Sequence, residues 1–199
     1  MRLVLASSSP RRAELLAAAG FAFDINPADV DERVHPGELP RHYVERLALE
    51  KSAATLDALD RVVWRNGDPA ASAARDVIVI GADTAVIVDN VILGKPIDAA
   101  DAERMLRRLS GRAHLVLTGV SLRSRTRQAA AIEETRVFVR PLSDAQIAWY
   151  VESGEGMDKA GAYAIQGLAS RFIPRIEGSY SNVVGLPVAR IAELLDGFG

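Results

Sequence analysis

The segment LVLASSSPRRAELLAAAG, residues 3–20, indicates the fold class of this chain. Residues 3–6 form a short apolar run typical of a buried strand, and the polar residues 7–9 follow as a loop. Pro10 stands directly after a serine, which is a strong signal for the start of a helix, and Gly20 is typical of a helix end. The segment therefore predicts a strand, a serine loop and a helix.

The rest of the chain alternates predicted strands and helices, which favours a mixed α/β fold. A buried strand over residues 77–80 is expected to end at the GADT segment, residues 81–84, and Asp89-Asn90 is typical of a hairpin turn. Further helices are expected from Pro40, after the Asp98 cap, after a capping box at residues 143–146 and from Pro187. Further strands are expected over residues 85–88, 91–93, 115–122, 135–139, 172–176 and 183–184. Loops are expected over residues 24–39, 60–76 (on the surface), 123–127 and 155–170.

Composition sets limits on the class of protein. The 199 residues fit one domain, which can form two lobes, and the 49% of hydrophobic residues suffice for a core. There is no cysteine for a disulfide or a thiolate metal site. A formal net charge of -2 argues against a nucleic-acid binder. No apolar stretch reaches the roughly 18 residues of a membrane span, and the N-terminal apolar run is too short for a signal peptide, so we expect a cytoplasmic protein without a membrane partner.

The serine loop is the first candidate site. Serine hydroxyls and the backbone N–H groups at a helix N-terminus can bind an anion, and Ser9 stands at that position. Arg11 and Arg12 lie in the first turn, where they oppose the helix dipole but add bidentate donors for a phosphate. The alternative is a plain helix cap with exposed arginines.

Four charged residues are further candidates. Asp83, after the buried β-branched run, has the character of a magnesium ligand or a base for water, although a turn aspartate is the alternative. Lys51 lies on the apolar face of the second predicted helix, where a lysine either extends to solvent or points into a polar pocket. Lys95 stands between Gly94 and Pro96, as a phosphate ligand or an ordinary loop lysine. Glu32 lies in an acidic loop, and such loops are usually solvated.

The small residues of segment 158–167 would allow its backbone to approach a ligand. Gln166 in this segment offers a donor and an acceptor, which suits the edge of a base; a structural loop is the alternative. The polar residues 179–182 form either the rim of a cleft or a turn. Trp149-Tyr150 on a capped helix indicates packing rather than base stacking. The scattered histidines indicate no metal cluster: His35, His42 and His114.

Taken together, these segments resemble the Maf family of nucleoside triphosphate pyrophosphatases, in one order and over nearly the whole chain. The matching segments are ASSSPRRAELL (6–16), RLA (46–48), EK (50–51), GADT (81–84), GKPID (94–98), LSG (109–111), TGV (118–120), SGE (153–155), DKAGAY (158–163), IQG (165–167) and VVGLP (183–187). Each segment alone is a modest signal, but so many in one order are very specific.

The resemblance implies a mixed α/β fold similar to inosine triphosphatase, with a long, bent central sheet flanked by helices and a deep cleft. It implies hydrolysis between the α- and β-phosphates with a divalent cation, Mg²⁺ or Mn²⁺. Asp83 takes the position of the catalytic base or metal carboxylate, and Glu32 matches a second metal carboxylate. The expected phosphate contacts are Ser9, Arg12, Lys51 and Lys95.

Three positions imply the base that is bound. The branch that resembles dTTP/UTP pyrophosphatases carries Arg, Thr and Gln where this chain has Arg11, Thr84 and Gln166. The branch acting on 7-methyl-GTP has an aromatic residue, Gln and Glu instead, and a Glu suits that cationic base by charge. The resemblance therefore implies a pyrimidine nucleoside triphosphate as substrate, and it is also compatible with a homodimer. Residues 57–76 look longer than the usual link in the family and are expected to form a surface loop.

Two other functions are open at this point. The family is also associated with septum formation, which would need a binding partner rather than turnover. A purine-directed pyrophosphatase resembling inosine triphosphatase is the closer alternative. A convergent set of charged side chains weighs against a purely non-catalytic module: Arg12, Lys51, Asp83 and Lys95.

Overall fold

A computed structural model describes residues 2–66 and 77–198, and it confirms a mixed α/β fold with a sheet flanked by helices. The strands are β1 (Arg2–Leu5), β2 (Phe23–Ile25), β3 (Val77–Val88), β4 (Val91–Leu93), β5 (Ala113–Arg123), β6 (Gln128–Phe138) and β7 (Arg175–Glu177). The helices are α1 (Pro10–Ala18), α2 (Pro40–Asn66), α3 (Ala99–Leu109), α4 (Asp144–Glu152), α5 (Tyr180–Val184) and α6 (Val188–Asp196), with short 3₁₀ helices at Ala160–Ala162 and Leu168–Phe172. The bend of the sheet and the deep cleft stay predictions.

The sheet is mixed, with strand order β2-β1-β3-β5-β6-β7 and β4 paired with β3. β1 runs parallel to β2 and to β3, whereas β3 and β4 form an antiparallel hairpin. Asp89 and Asn90 have φ angles of 53° and 60°, as a two-residue hairpin turn requires, so the predicted turn is confirmed.

The chain divides into two compact units. The first comprises Met1–Asp83, Thr118–Glu133 and Gly185–Gly199, and the second comprises Thr84–Leu117 and Glu134–Val184. In the second unit α3 packs against α4, and Leu106, Val137, Tyr150 and Phe172 lie in one buried apolar cluster.

Both faces of β1 are buried in the first unit. Leu3 and Leu5 pack in one apolar cluster with Leu16 of α1 and Ile191 of α6. Val4, between them, points to the opposite face, into a second cluster that contains Leu56 of α2. A strand that is covered on both sides has no polar face, which explains the uninterrupted apolar run.

The main chain of helix α2 lies directly against the main chain of the sheet, because two strand positions are glycine. A Cβ atom at Gly81 would lie 2.2 Å from the carbonyl oxygen of Ala48, and one at Gly119 would lie 2.2 Å from that of Val44. Only glycine allows this approach. The contact places the turn of α2 after Ala48 beside the residues of β3 that follow Gly81.

Several predicted elements have different bounds. β3 does not end at residue 80 but continues through residues 81–84 to Val88, because the glycine serves the contact with α2 rather than a turn. β2 overlaps the start of the predicted loop 24–39; it is a three-residue edge strand, too short to give a period. α2 continues to Asn66, so the predicted excursion 60–76 and the expected surface loop 57–76 are wrong up to residue 66. Residues 67–76 lie outside the described residues.

The last two strand predictions are also corrected. Residues 183–184 belong to α5, since the Ser179 hydroxyl accepts a hydrogen bond from the Asn182 N–H and starts a helical turn. In the segment 172–176 a 3₁₀ helix ends at Phe172, and the strand β7 begins only at Arg175. β6 extends over Gln128–Phe138, well before the predicted start at residue 135.

No helix in residues 2–66 and 77–198 has both the length and the apolar character needed to cross a membrane.

Candidate functional site

Arg12 ties the serine loop to the neighbouring chain segments. Its Nη1 donates to the Ser7 hydroxyl at 3.1 Å and to the Ala82 carbonyl of β3 at 2.9 Å, and its Nε donates to the Gly185 carbonyl at 2.9 Å. The Ser7 hydroxyl also accepts the Ser9 N–H at 3.2 Å. These bonds fix the plane of the guanidinium group and the course of the loop.

The start of α1 has the form that the sequence predicts. Ser9 is the extended residue before the helix, Pro10 is its first residue, and the Ser9 side chain makes no capping bond to this helix. Arg11 and Arg12 lie half-buried in the first turn, which contains no acidic residue. Burial lowers the pKa of Arg12, while the charges of Asp83 and Glu32 raise it.

Lys51 lies between two carboxylates and forms the centre of the site. Its Nζ is 2.7 Å from Asp83 Oδ1 and 2.6 Å from Glu32 Oε1. Lys51 and Asp83 are only 6% and 7% exposed, whereas 57% of the Glu32 side chain is accessible. We name Lys51, Asp83 and Glu32 the carboxylate–lysine cluster. The cluster itself has one cation and two anions, and the nearby Arg12 guanidinium offsets part of the negative charge.

Burial raises the pKa of Asp83 by disfavouring its charged form. The cations of Lys51 and Arg12 and the hydrogen bond from Lys51 act in the opposite direction, while the charge of Glu32 adds to the effect of burial. Burial and the neighbouring charges together therefore set the proton affinity of this carboxylate, as in many functional sites.

The prediction that Asp83 lies at the end of its strand is wrong. Asp83 lies inside β3, two residues beyond Gly81 and therefore next to the turn of α2 that carries Lys51. It is the adjacent strand that ends here: β1 stops at Leu5, which pairs with Ile80, and the serine loop follows. Ligand sites in α/β sheets lie at the carboxyl ends of strands. Here the serine loop follows such an end, and Asp83 lies on the neighbouring strand β3.

The loop that carries Glu32 is attached to α2 by residues that the sequence did not single out. The Arg46 guanidinium donates to both oxygens of Glu38 at 2.7 and 2.9 Å and to the Arg33 carbonyl at 3.1 Å. The hydroxyl of Tyr43 donates to the Glu32 carbonyl oxygen at 3.1 Å. The bidentate contact with Arg46 lowers the pKa of Glu38 to about 2. The signal in the sequence was the charged Arg46 within the RLA match, five residues before Lys51.

The other predicted site residues belong to the second unit. Thr84 lies half-buried in β3. Lys95 is exposed in the coil between β4 and α3, and Gln166 is exposed in a turn before the second 3₁₀ helix. Tyr150 is fully buried and hydrogen-bonded, which confirms that it packs.

Two carboxylates of the first unit have the chemistry to hold a divalent cation. Glu32 and Asp83 are within hydrogen-bond distance of the same ammonium group, so their oxygens face one point. Among the described residues no group of three or more His, Cys, Asp or Glu side chains has a metal-binding arrangement. A pair of carboxylates fits Mg²⁺ or Mn²⁺, since such hard ions take their remaining ligands from water and phosphate.

Comparison with known proteins gives a consistent picture. The family model described as Maf-like protein matches residues 2–198. A relative from Anaeromyxobacter sp. (strain Fw109-5), named dTTP/UTP pyrophosphatase, is 51% identical, over 98% of this chain and 88% of that protein. Proteins of the same name from Hahella chejuensis and Shewanella oneidensis are 50% and 49% identical over 100% of this chain and 92% and 99% of theirs.

Among solved structures, the Staphylococcus aureus Ham1 protein aligns over 100% of both chains with a TM-score of 0.43 and 11% identity, values too low to support a conclusion. The family match over residues 2–198 and the sequence identity of about 50% over nearly the whole chain are sufficient to establish the family. This chain belongs to the family of Maf-like proteins.

Proposed function

We propose that this protein hydrolyses dTTP and UTP to the nucleoside monophosphate and pyrophosphate. The carboxylate–lysine cluster is the observation that carries the proposal, because it holds a buried lysine between two carboxylates beside the arginine-braced serine loop. Its cationic side chains suit the phosphoanhydride, and its carboxylates suit the metal ion. The names of relatives about half identical over the whole chain support the same reaction.

Cationic side chains stabilise the charge that develops on the leaving pyrophosphate. Arg12 and Lys51 are buried or half-buried, so their interaction with a phosphate is only weakly screened by water. The Ser9 hydroxyl and the N-terminal N–H groups of α1 add neutral donors. Lys95 is exposed on its short loop, where its flexible ammonium suits a solvated phosphate oxygen.

Glu32 and Asp83 would hold the divalent cation, which would polarise phosphate oxygens and neutralise part of their charge. Lys51 lies between the two carboxylates and keeps their oxygens close together. Because 57% of the Glu32 side chain is accessible, it can move to share its carboxylate with an ion.

Asp83 is the residue that we assign to the attacking water. Its Oδ1 accepts from Lys51, and its Oδ2 is the atom that takes the proton as the water oxygen bonds to the α-phosphorus. The bond between the α-phosphorus and the bridging oxygen breaks, and pyrophosphate leaves with the bonding pair. A role of Asp83 as metal ligand only is the alternative, and the geometry is compatible with both.

Arg11, Thr84 and Gln166 confer the preference for a pyrimidine. The neutral amide of Gln166 offers one donor and one acceptor to a uracil or thymine edge, and its exposed position in a turn makes the amide accessible. We also propose a cytoplasmic location, where nucleoside triphosphates are abundant, and a homodimer.

A panel of nucleoside triphosphates tests the proposal. The purified protein is incubated with Mg²⁺ or Mn²⁺ and each nucleotide, and the released pyrophosphate and the nucleotide product are measured. We expect conversion of dTTP and UTP to monophosphates, with little reaction of GTP or 7-methyl-GTP. A purine preference would keep the reaction class and overturn the assignment of Arg11, Thr84 and Gln166. Absence of pyrophosphate with every nucleotide would refute the proposed enzyme and favour a binding role.

A further inference from the structure

Glu155, which lies in the SGE segment, holds the main chain that follows Gln166. Its Oε1 accepts the Leu168 N–H at 2.8 Å, and its Oε2 accepts the Ala169 N–H at 3.4 Å. Its Oε2 also accepts the hydroxyl proton of Tyr150 at 2.7 Å. A half-buried carboxylate thus binds three donors, two of which belong to the main chain directly after Gln166.

Tyr150 holds the main chain of the same turn before Gln166. It is 0% exposed, and its hydroxyl oxygen accepts the Ala164 N–H at 3.1 Å while its proton goes to Glu155. Two linked side chains therefore fix the main chain two residues before and two residues after Gln166.

Gly167 shows how closely the turn lies against this carboxylate. A Cβ atom at Gly167 would lie 1.9 Å from Oε1 of Glu155, so no larger residue fits while the carboxylate is in place. The turn is closed by a hydrogen bond from the Gly167 N–H to the Ala164 carbonyl at 3.1 Å. The exposed Gln166 side chain thus projects from a backbone that is held on both sides.

We propose that Glu155 and Tyr150 are positioning residues for base selection: they fix the main chain of the turn and so restrict the rotamers that bring the Gln166 amide to the base. This inference rests on the proposed function, in which Gln166 contacts the pyrimidine. A fixed amide presents its donor and acceptor in one order, which matches uracil and thymine but not the reversed pattern of cytosine. A mobile amide can rotate and lose this discrimination.

Two variants test the inference, with KM and kcat measured for UTP, dTTP and CTP. Tyr150→Phe removes the hydroxyl and keeps the buried ring, and Glu155→Ala removes the carboxylate. We expect KM for UTP and dTTP to rise roughly tenfold, with kcat within about threefold, as for the loss of one or two well-placed hydrogen bonds. The preference for UTP over CTP falls by the same factor.

Ser143→Ala is the matched control. Ser143 caps the opposite end of α4 by accepting the Gln146 N–H, so its loss also removes a stabilising bond from the second unit but leaves the turn intact. We expect lower thermal stability with unchanged KM and preference. If Glu155→Ala fails to fold, Tyr150→Phe gives the result on its own.

A Gln166→Ala background distinguishes positioning from other roles. If Tyr150 acts through Gln166, Tyr150→Phe has no further effect on the preference once the amide is absent. The same loss of preference in both backgrounds, or an unchanged KM in the single variants, overturns the inference. A wild-type protein that does not prefer UTP and dTTP would instead refute the proposed function, before any variant is considered.

Discussion

Replacement of Lys51 by methionine tests the energetics of the carboxylate–lysine cluster. Methionine keeps the length of the buried stem but removes the cation that contacts Asp83 at 2.7 Å and Glu32 at 2.6 Å. Glu32 is accessible and can turn to water, whereas Asp83 is 7% exposed and cannot. The variant therefore leaves one carboxylate buried without its lysine.

The expected cost follows from that burial. Loss of one partner of a buried ion pair lowers the free energy of unfolding by about 3–5 kcal/mol. For a chain of this size, that loss lowers Tm by roughly 6 to 20 °C. The loss of stability in the variant becomes smaller as the pH falls, because Asp83 then takes a proton and loses its charge. Burial already raises the pKa of this carboxylate.

Urea denaturation of four proteins measures the effect: wild type, Lys51→Met, Asp83→Asn and the double variant. The double variant lacks both charges of the buried Lys51–Asp83 pair, so we expect it to regain most of the lost stability while remaining inactive. Asp24→Asn is the control, since Asp24 and Arg2 form an exposed pair in the same unit, worth at most about 1 kcal/mol. A Lys51→Met protein as stable as wild type, or a double variant no more stable than Lys51→Met, would refute this reasoning.

Three further outcomes are expected. Asp83→Asn should lower kcat by more than about a thousandfold with the far-UV circular dichroism unchanged, and full activity would exclude Asp83 as base and as metal ligand. Gly81→Ala should lower the free energy of unfolding by more than about 2 kcal/mol in urea denaturation, because its Cβ meets the Ala48 carbonyl at 2.2 Å. Gly94→Ala should be neutral, since a Cβ there meets no atom of residues 2–66 and 77–198 within 4 Å, its chain neighbours aside. Burial lowers the pKa of His114 to about 4, so below roughly pH 6.5 the unfolded chain binds a proton that the folded chain does not. The free energy of unfolding should therefore fall by up to about 3 kcal/mol as the pH is lowered from roughly 6.5 to 4. A His114→Phe variant with the same pH slope would contradict this.

The local elements were predictable because their signals are short-range. The Asp89-Asn90 turn has the positive φ angles that its residue types favour. The capping box at Ser143 is present with both of its hydrogen bonds. Both depend on residues at most a few positions apart, so no knowledge of the tertiary structure was needed.

The residues of the site were predictable only as separate candidates. A lysine on an apolar helix face either extends to solvent or points into a polar pocket, and Lys51, which contacts Asp83 and Glu32, does the second. The partners themselves lie on a strand and a loop far along the chain. Gly81 was misread as a strand end because a glycine that admits a helix looks the same in sequence as one that makes a turn.

The contacts that fix the Glu32 loop gave almost no sequence signal. Arg46 and Glu38 are eight residues apart, and Arg46 looks like any charged residue on a long helix. Their pairing depends on how the loop returns to α2, which is a tertiary property. Tyr43 is an aromatic residue of the same helix, and its hydroxyl donates to the Glu32 carbonyl. Residues of mixed character are where periodicity says least.

Hydrolysis of UTP in ¹⁸O-labelled water tests the central claim most directly. The products are separated, and the label is located by mass spectrometry. Attack of water on the α-phosphorus predicts UMP and pyrophosphate, with one ¹⁸O atom in UMP and none in pyrophosphate. Formation of UDP and inorganic phosphate, or label in the pyrophosphate, would contradict the proposed reaction.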